Sequence, residues 1–311
     1  MKTPRIVVVG SSNTDMVVKS QRIPAPGETV TGGHFVMAAG GKGANQAVAA
    51  ARLGAEVTLV AKTGQDMFGD QAIANYRQEG IATDFIFRDP HNHTGVALIL
   101  VDEQGENLIS VASGANHDLC PKDVEQAAER IRTADVVLLQ LEIPLETVEF
   151  TARLAADAGV PVLLDPAPAP AVPLDSALLR AVTYVKPNET EAERLTGIAV
   201  QDEASARRAA DKLLQGGARY AILTLGAKGA LWVGPQQSGF LPGYRVKALD
   251  STAAGDAFSG ALACALARGE PLAEAVRYAS LVGALSVTRL GAQPSLPTAD
   301  EVRHFAQRVS P

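Results

Sequence analysis

The residues with most chemistry to offer stand in one stretch, Asp250-Ser251-Thr252-Ala253-Ala254-Gly255-Asp256-Ala257-Phe258-Ser259-Gly260. Small residues fill 251–255. Apolar residues then recur at Phe258, Leu262 and Leu266, the spacing of one helix face, and Arg268-Gly269 closes that helix. Residues 253–256 therefore belong at a helix N-terminus, where backbone N–H groups point outward unpaired and the dipole favours negative charge. Side chains this small let an anion approach the backbone closely. Asp256, in the first turn, has two readings. One is a favourable terminal charge worth about 0.3–1 kcal/mol. The other is a general base beside an anion pocket, placed to take a proton from a nucleophilic hydroxyl. Asp250 poses the same choice between turn residue and ligand.

Three further stretches carry candidate ligands. Gly40-Gly41-Lys42-Gly43-Ala44-Asn45 leads into a helix. It is either a plain loop-to-helix junction or a place where backbone nears a polar ligand while Lys42 and Asn45 donate hydrogen bonds. Gln46 stands where a dinucleotide fingerprint needs glycine, and no GxxxxGK[ST] occurs, so a bound nucleotide is not held by a Walker-type loop. Lys186-Pro187-Asn188-Glu189-Thr190-Glu191 starts another helix. Asn188 and Glu191 fit a capping box, and the same pair could also hold water around Mg²⁺ or contact phosphate. Thr224-Leu225-Gly226-Ala227-Lys228-Gly229 ends a strand, as a tight turn or as a close approach to a nucleotide. The five histidines form no cluster, so neither a zinc site nor a Ser–His–Asp arrangement has support.

These stretches need a scaffold. Ile6 to Val9, Val57 to Ala61, Val136 to Leu141, Val160 to Leu164 and Ala221 to Leu225 are continuous apolar runs, as in strands covered on both faces. Between them lie helical segments: Ala44 to Leu53 ending at Gly54, Glu146 to Ala158 ending at Gly159, and Ala204 to Leu214 before Gly216. This alternation predicts an α/β fold, a mostly parallel sheet flanked by helices. Residues 13–37 and 94–112 carry strand patterns without a helix between them, the second a hairpin around Asp102 to Glu106. Together they predict a small antiparallel sheet, with two peripheral hairpins as the alternative. Pro166 to Pro170 reads as a stiff surface loop.

The chain has 311 residues, 47% apolar and 20% charged, which suits one large α/β domain with a small appendage or two modest domains. A net charge of −6 without a Lys/Arg run argues against a nucleic-acid partner. Cys120 and Cys264 lie far apart and read as reduced. The apolar run Ile6 to Val9 is too short for a signal-peptide core, and no apolar stretch approaches a membrane span. The expectation is a cytoplasmic protein without a membrane partner.

Taken in order, the four motif stretches resemble the ribokinase (PfkB) family of carbohydrate and nucleoside kinases, over nearly the whole chain. Asp250 to Leu262 is similar to that family's C-terminal signature and Gly40 to Ala47 to its N-terminal one. Details such as Gly10-Ser11-Ser12-Asn13-Thr14-Asp15, Pro26-Gly27-Glu28-Thr29-Val30, Gln140-Leu141-Glu142 and Gly291-Ala292-Gln293-Pro294-Ser295 point to its ribose-specific members. The resemblance implies a single doubly wound domain over 1–311, with a β-sheet lid formed by about 13–37 and 94–112 and a homodimer through the lid. It implies phosphorylation of D-ribose at O5 by ATP, with Asp256 as base and the N–H groups of Ala253, Ala254 and Gly255 as an anion hole. It assigns Asn13, Asp15, Gly41, Lys42, Gly43, Ala44, Asn45, Glu142 and Asp256 to the sugar. It assigns Asn188, Thr224, Leu225, Gly226, Ala227, Lys228, Gly229, Gly255 and Ser280 to ATP, and Glu191 indirectly to Mg²⁺. Asp250, Thr252, Ser286, Arg289, Gly291 and Ser295, mostly through backbone oxygens, match a K⁺ site. Ser251 and Ala253 depart from the Thr and Gly usual in the family; Ala253 leaves its N–H free but narrows the allowed φ.

Other functions compete. A kinase for deoxyribose or a ketohexose is nearest; Asn13 and Asp15 bonding the 2- and 3-hydroxyls would disfavour a 2-deoxy sugar. A nucleoside kinase lacks aromatics near the lid to stack a base. A non-catalytic sugar-binding regulator is opposed by the intact Asp256, anion-hole segment and Asn188/Glu191 pair. An NAD-dependent oxidoreductase lacks its glycine fingerprint.

Overall fold

The computed structural model describes residues 3–309. Nine strands form the large sheet in the order β13-β12-β11-β10-β9-β8-β1-β4-β5. Their ranges are β1 Arg5–Val9, β4 Glu56–Gly64, β5 Ile86–Asp89, β8 Val136–Leu139, β9 Val162–Leu164, β10 Tyr184–Val185, β11 Tyr220–Thr224, β12 Gly229–Val233 and β13 Ser238–Pro242. The strands from β5 to β11 run parallel; β12 and β13 add an antiparallel edge. Alternation along β1 explains its unbroken apolar sequence. Ile6 and Val8 enter the core beneath the helices Lys42–Arg52, Ala254–Ala267 and Leu272–Ser286, whereas Val7 and Val9 enter the core beneath Leu145–Asp157 and Glu203–Gln215.

The two stretches without helices pair into one smaller sheet of order β3-β2-β6-β7, with β2 Asn13–Lys19, β3 His34–Gly40, β6 Gly95–Val101 and β7 Asn107–Ala112. The expected hairpin is β6–β7, but the sheet is mixed rather than antiparallel, because β2 and β6 pair in parallel from Asn13↔Gly95 onward. Both strands follow parallel strands of the large sheet, β2 after β1 and β6 after β5, and so leave its carboxyl edge in the same direction. Pro166 to Pro170 corrects another expectation. Pro166, Ala167 and Ala169 are buried, and the carbonyl of Ala167 accepts from Leu141 N–H, so this stretch packs against the sheet rather than lying on the surface.

One close approach fixes the helix that follows β3. A Cβ on Gly43 would stand 2.6 Å from backbone atoms of Gly10 and Ser11, so only glycine lets the Lys42–Arg52 helix start against the end of β1. Gly41, with φ of 87°, makes the turn into that helix and lies tight against Asn13. Ala44 is fully buried and its N–H donates to Ser11 O, so Gly43 and Ala44 serve packing at this junction. Among the described residues no helix is long and apolar enough to cross a membrane.

Candidate active site

Parallel strands deliver their polar residues to one edge. β1 is followed by Ser11 and Ser12, β8 by Gln140 and Glu142, β9 by Asp165, β10 by Lys186 and Asn188, and β11 by Gly226. In open α/β sheets this carboxyl edge is where ligands bind. The Ala254–Ala267 helix begins above it, with Asp256 in its first turn as the spacing predicted. Ala253 caps that helix at φ 58°, the only positive φ among the described residues other than glycine. Strain of this kind collects at functional sites. The Ala254 N–H closes a turn onto Ser251 O at 3.2 Å, so the unpartnered first-turn amides are those of Ala253, Gly255 and Asp256.

Asp256 is buried, and both carboxylate oxygens are held. Asn45 Nδ2 donates to Oδ2 at 2.9 Å and Gln46 Nε2 to Oδ1 at 2.9 Å. Gln46 Nε2 is also 2.9 Å from Asp165 Oδ2, and its Oε1 accepts from Gln140 Nε2 at 2.6 Å. Asp165 Oδ2 further accepts from Ser259 Oγ and Lys186 Nζ, each at 2.9 Å, and Lys186 Nζ reaches Gly255 O at 3.3 Å. Sequence reasoning missed Gln46, Asp165 and this role of Lys186. Burial pushes the Asp256 carboxyl up to about 6, helped by Asp165 and opposed by Lys42 and the two amide donors. The carboxylate is thereby poised near neutrality, as a general base requires.

Across from Asp256, Lys42 opens its helix with its backbone N–H donating to Glu142 Oε2 at 3.0 Å, and Ser11 Oγ donates to the same oxygen at 2.5 Å. Burial works against the Lys42 ammonium, but Asp256, Glu142 and Asp165 outweigh it and its pKa is raised. Burial, then Glu142 and Asp256, push Asp15 up to about 6 while Lys42 pulls it down. Asp15, Lys42, Glu142 and Asp256 therefore feel one another around a shared polar space, where β2 leaves the rim. Asn13, two residues before Asp15, lies on the same face of β2.

A cleft of about 520 Å³ opens on the other side of the Gly255 backbone. Of the residues assigned to a nucleotide, Asn188, Thr224, Gly226, Ala227, Gly229, Gly255 and Ser280 line it. Leu225 is buried outside the lining, and Lys228 pairs with Glu189 at 2.9 Å. Tyr244, Val246, Phe258, Ala284 and Val287 supply an apolar wall that the sequence did not reveal. Ser280 Oγ is buried there without a hydrogen-bond partner among the described residues. Apolar walls with a few unpaired polar atoms suit a nucleotide base and ribose. Asn188 and Glu191 form the expected capping box, each side chain accepting the other's N–H at 2.8 Å. Burial and Asp165 raise the Glu191 pKa.

The four components of the catalytic edge therefore meet at one place: a buried carboxylate, free helix amides, a polar recess and a cleft. Residues 3–299 match the profile of the pfkB family carbohydrate kinases. The chain belongs to that family. A ribokinase of Haemophilus influenzae is 43% identical over 98% of this chain and 99% of its own length. A deoxyribokinase of Salmonella typhimurium is 39% identical over 96% of this chain and 98% of its own. The structure of Arabidopsis thaliana ribokinase complexed with ribose and ATP shares 32% identity and superposes with a TM-score of 0.91, over 98% and 99% of the two chains.

The residues proposed for a monovalent cation also converge. Asp250 Oδ1 accepts from Thr252 N–H and Oγ1, at 2.9 and 2.6 Å, and Oδ2 from Gly291 N–H at 2.8 Å. Leu249 and Asp250 donate to Val287 O, just after Ser286. The Arg289 guanidinium donates to Glu301 Oε1 at 2.7 Å, and the only oxygen that Arg289 can offer a cation is its backbone carbonyl. Ser295 Oγ donates to Ala292 O. One carboxylate among neutral oxygens, with no cluster of three acidic, His or Cys ligands among the described residues, fits a weakly charged ion better than a divalent one.

Proposed function

We propose that the chain transfers the γ-phosphoryl group of ATP to O5 of D-ribose, giving D-ribose 5-phosphate and ADP. The observation that carries this reading is Asp256, buried and held by two amide donors, directly beside Gly255, which lines the cleft. Ribokinases of similar sequence, one of them with ribose and ATP bound, support the choice of donor and acceptor.

Asp256 takes the proton of the primary hydroxyl as its oxygen attacks the γ-phosphorus in line. The bond to the β,γ-bridging oxygen breaks and ADP leaves. The free amides of the first helical turn stabilise charge on the moving phosphoryl group. Asn13, Asp15, Lys42, Asn45 and Glu142 orient the sugar. Asn188, Thr224, Gly226, Gly229 and Ser280 hold ATP. Mg²⁺ would neutralise phosphate charge when bound, and Glu191, whose carboxylate is fixed at Asn188 N–H, would help hold the water around it. Asp250, Thr252, Ser286, Arg289, Gly291 and Ser295 would hold a K⁺ ion, which would order the loop beneath the amides when bound. The apolar, exposed residues of the smaller sheet, Phe35, Val36, Leu98 and Ile109 among them, support its use as a lid that pairs with a second copy in a homodimer. Use of ATP as the donor supports a cytoplasmic location.

The direct test is ADP release across a panel of ribose, 2-deoxyribose and ketohexoses. Ribose is expected to give the highest kcat/KM. The deoxyribokinase relative makes 2-deoxyribose the informative competitor, and a higher kcat/KM for it would overturn the substrate assignment.

A pH dependence follows from the two raised carboxyls. Asp256 must be ionised to accept a proton, and Asp15 is the stronger acceptor for a sugar hydroxyl when ionised. With both near 6, log kcat/KM falls as pH drops through about 6, with a limiting slope steeper than one. A profile flat from pH 7 down to pH 5 would remove Asp256 as base.

A further inference from the structure

Asn116 has a chemistry that phosphoryl transfer does not use. It lies in the short turn Gly114–Asp118 directly after β7 and is 2% exposed. Its Oδ1 accepts from Ser12 N–H at 2.8 Å. A backbone amide can only donate, so this contact fixes which end of the Asn116 side chain is oxygen. Its Nδ2 is then a donor, 2.7 Å from Asn13 Oδ1 and 3.2 Å from Ser12 O. The logic passes on: the Asn13 atom facing Asn116 must be its oxygen. Gly95 leaves room for this contact, since a Cβ there would stand 2.1 Å from Asn13 Oδ1 and 2.3 Å from Asn116 Nδ2.

Asn13 is 5% exposed, yet its Nδ2 has no partner among the described residues. Asp15, on the same face of β2, can only accept hydrogen bonds when it is ionised. A donor and an acceptor side by side suit a hydroxyl, which accepts from one and donates to the other. We propose that Asn116 is a positioning residue for sugar specificity: by holding Asn13 Oδ1 it makes Asn13 the hydrogen-bond donor beside Asp15. This rests on the ribose-kinase reading and adds the device that discriminates against a 2-deoxy sugar. A CH₂ at that place leaves a buried N–H and a carboxylate unpaired, and sites built to bond a hydroxyl reject analogues that lack it.

The test measures kcat and KM for ribose and 2-deoxyribose in Asn116→Asp and Asn13→Asp, together with Tm and KM for ATP. In N116D the carboxylate still accepts from Ser12 but cannot donate, so Asn13 turns its amide and presents oxygen. In N13D the bond from Asn116 stays, and a second oxygen replaces the free N–H. In both, KM for ribose is expected to rise about 10–100-fold, the loss of one buried hydrogen bond to the sugar. KM for ATP stays the same, and the ribose to 2-deoxyribose ratio of kcat/KM falls about tenfold or more. N13D leaves Asn116 intact and so carries the test even where N116D does not fold. An unchanged ratio in N13D, or in folded N116D, overturns the proposal while leaving the ribose-kinase reading in place. An unaltered enzyme that turns over no ribose overturns both.

Discussion

Asp256→Asn lowers kcat for ribose phosphorylation by about 10²–10⁴-fold, the usual worth of a positioned general base. KM for ribose and for ATP changes little by comparison, because the amide keeps the size and shape of the carboxylate. Asn45 and Gln46 now donate to Asp256 at 2.9 Å. After the substitution one of these donors loses its acceptor, so some loss of stability accompanies the loss of rate. Steady-state kinetics separate the two effects: misplacement of the sugar raises KM, whereas removal of the base lowers kcat. Near-normal kcat in a folded D256N protein would return Asp256 to its other reading, a charge that favours the helix N-terminus.

The largest effect on stability is expected at Lys186→Met. Lys186 and Asp165 side chains are each 3% exposed and stand 2.9 Å apart. Breaking such a pair leaves a buried charge without its counter-ion and costs about 3–5 kcal/mol. Here Asp165 retains Gln46 and Ser259 as donors, but neither neutralises it. Combining Lys186→Met with Asp165→Asn removes both charges and is expected to recover most of that loss. Urea denaturation of both single variants and the double variant measures the coupling. A loss in the double variant equal to the sum of the two single losses would mean that the pair carries no buried charge coupling. The Lys186 contact with Gly255 O ties this pair to the first turn of the Ala254–Ala267 helix, so K186M is also expected to loosen the amides proposed to face phosphate.

Much of the scaffold was legible because it follows from periodicity. Continuous apolar runs marked β1, β4, β8, β9 and β11, and glycines after apolar stripes marked three helix ends. Strands β10 and β13 were not legible. The first has two residues, and the second, Ser-Gly-Phe-Leu-Pro, carries glycine and proline that local preference disfavours in strands. The catalytic helix was readable from its small first turn, and the structure adds that Ala253 takes the positive φ that glycine would adopt without strain.

The network behind Asp256 was legible only in part. Asn45 stood in a recognisable glycine-rich stretch. Gln46 meets Asp256 across 210 positions and Asp165 across 119, and no local pattern encodes such pairs. Asp165 in the sequence is simply the residue that ends a strand. Lys186 lay within a quoted motif, but its partner 21 residues earlier is set by the adjacency of β9 and β10, which is a property of the sheet. Asn116 was invisible for the same reason: its partners Ser12 and Asn13 are more than a hundred residues away.

The product itself gives the most direct test of the proposed chemistry. Ribose, ATP and Mg²⁺ are incubated with the enzyme and the sugar phosphate is examined by ¹³C and ³¹P NMR. Phosphorus coupling at C5, with one ADP formed per sugar phosphate, is the expected result. Phosphate on any other carbon, or ATP consumed without a phosphorylated sugar, would contradict the assignment of Asp256 and the helix amides to transfer onto the primary hydroxyl.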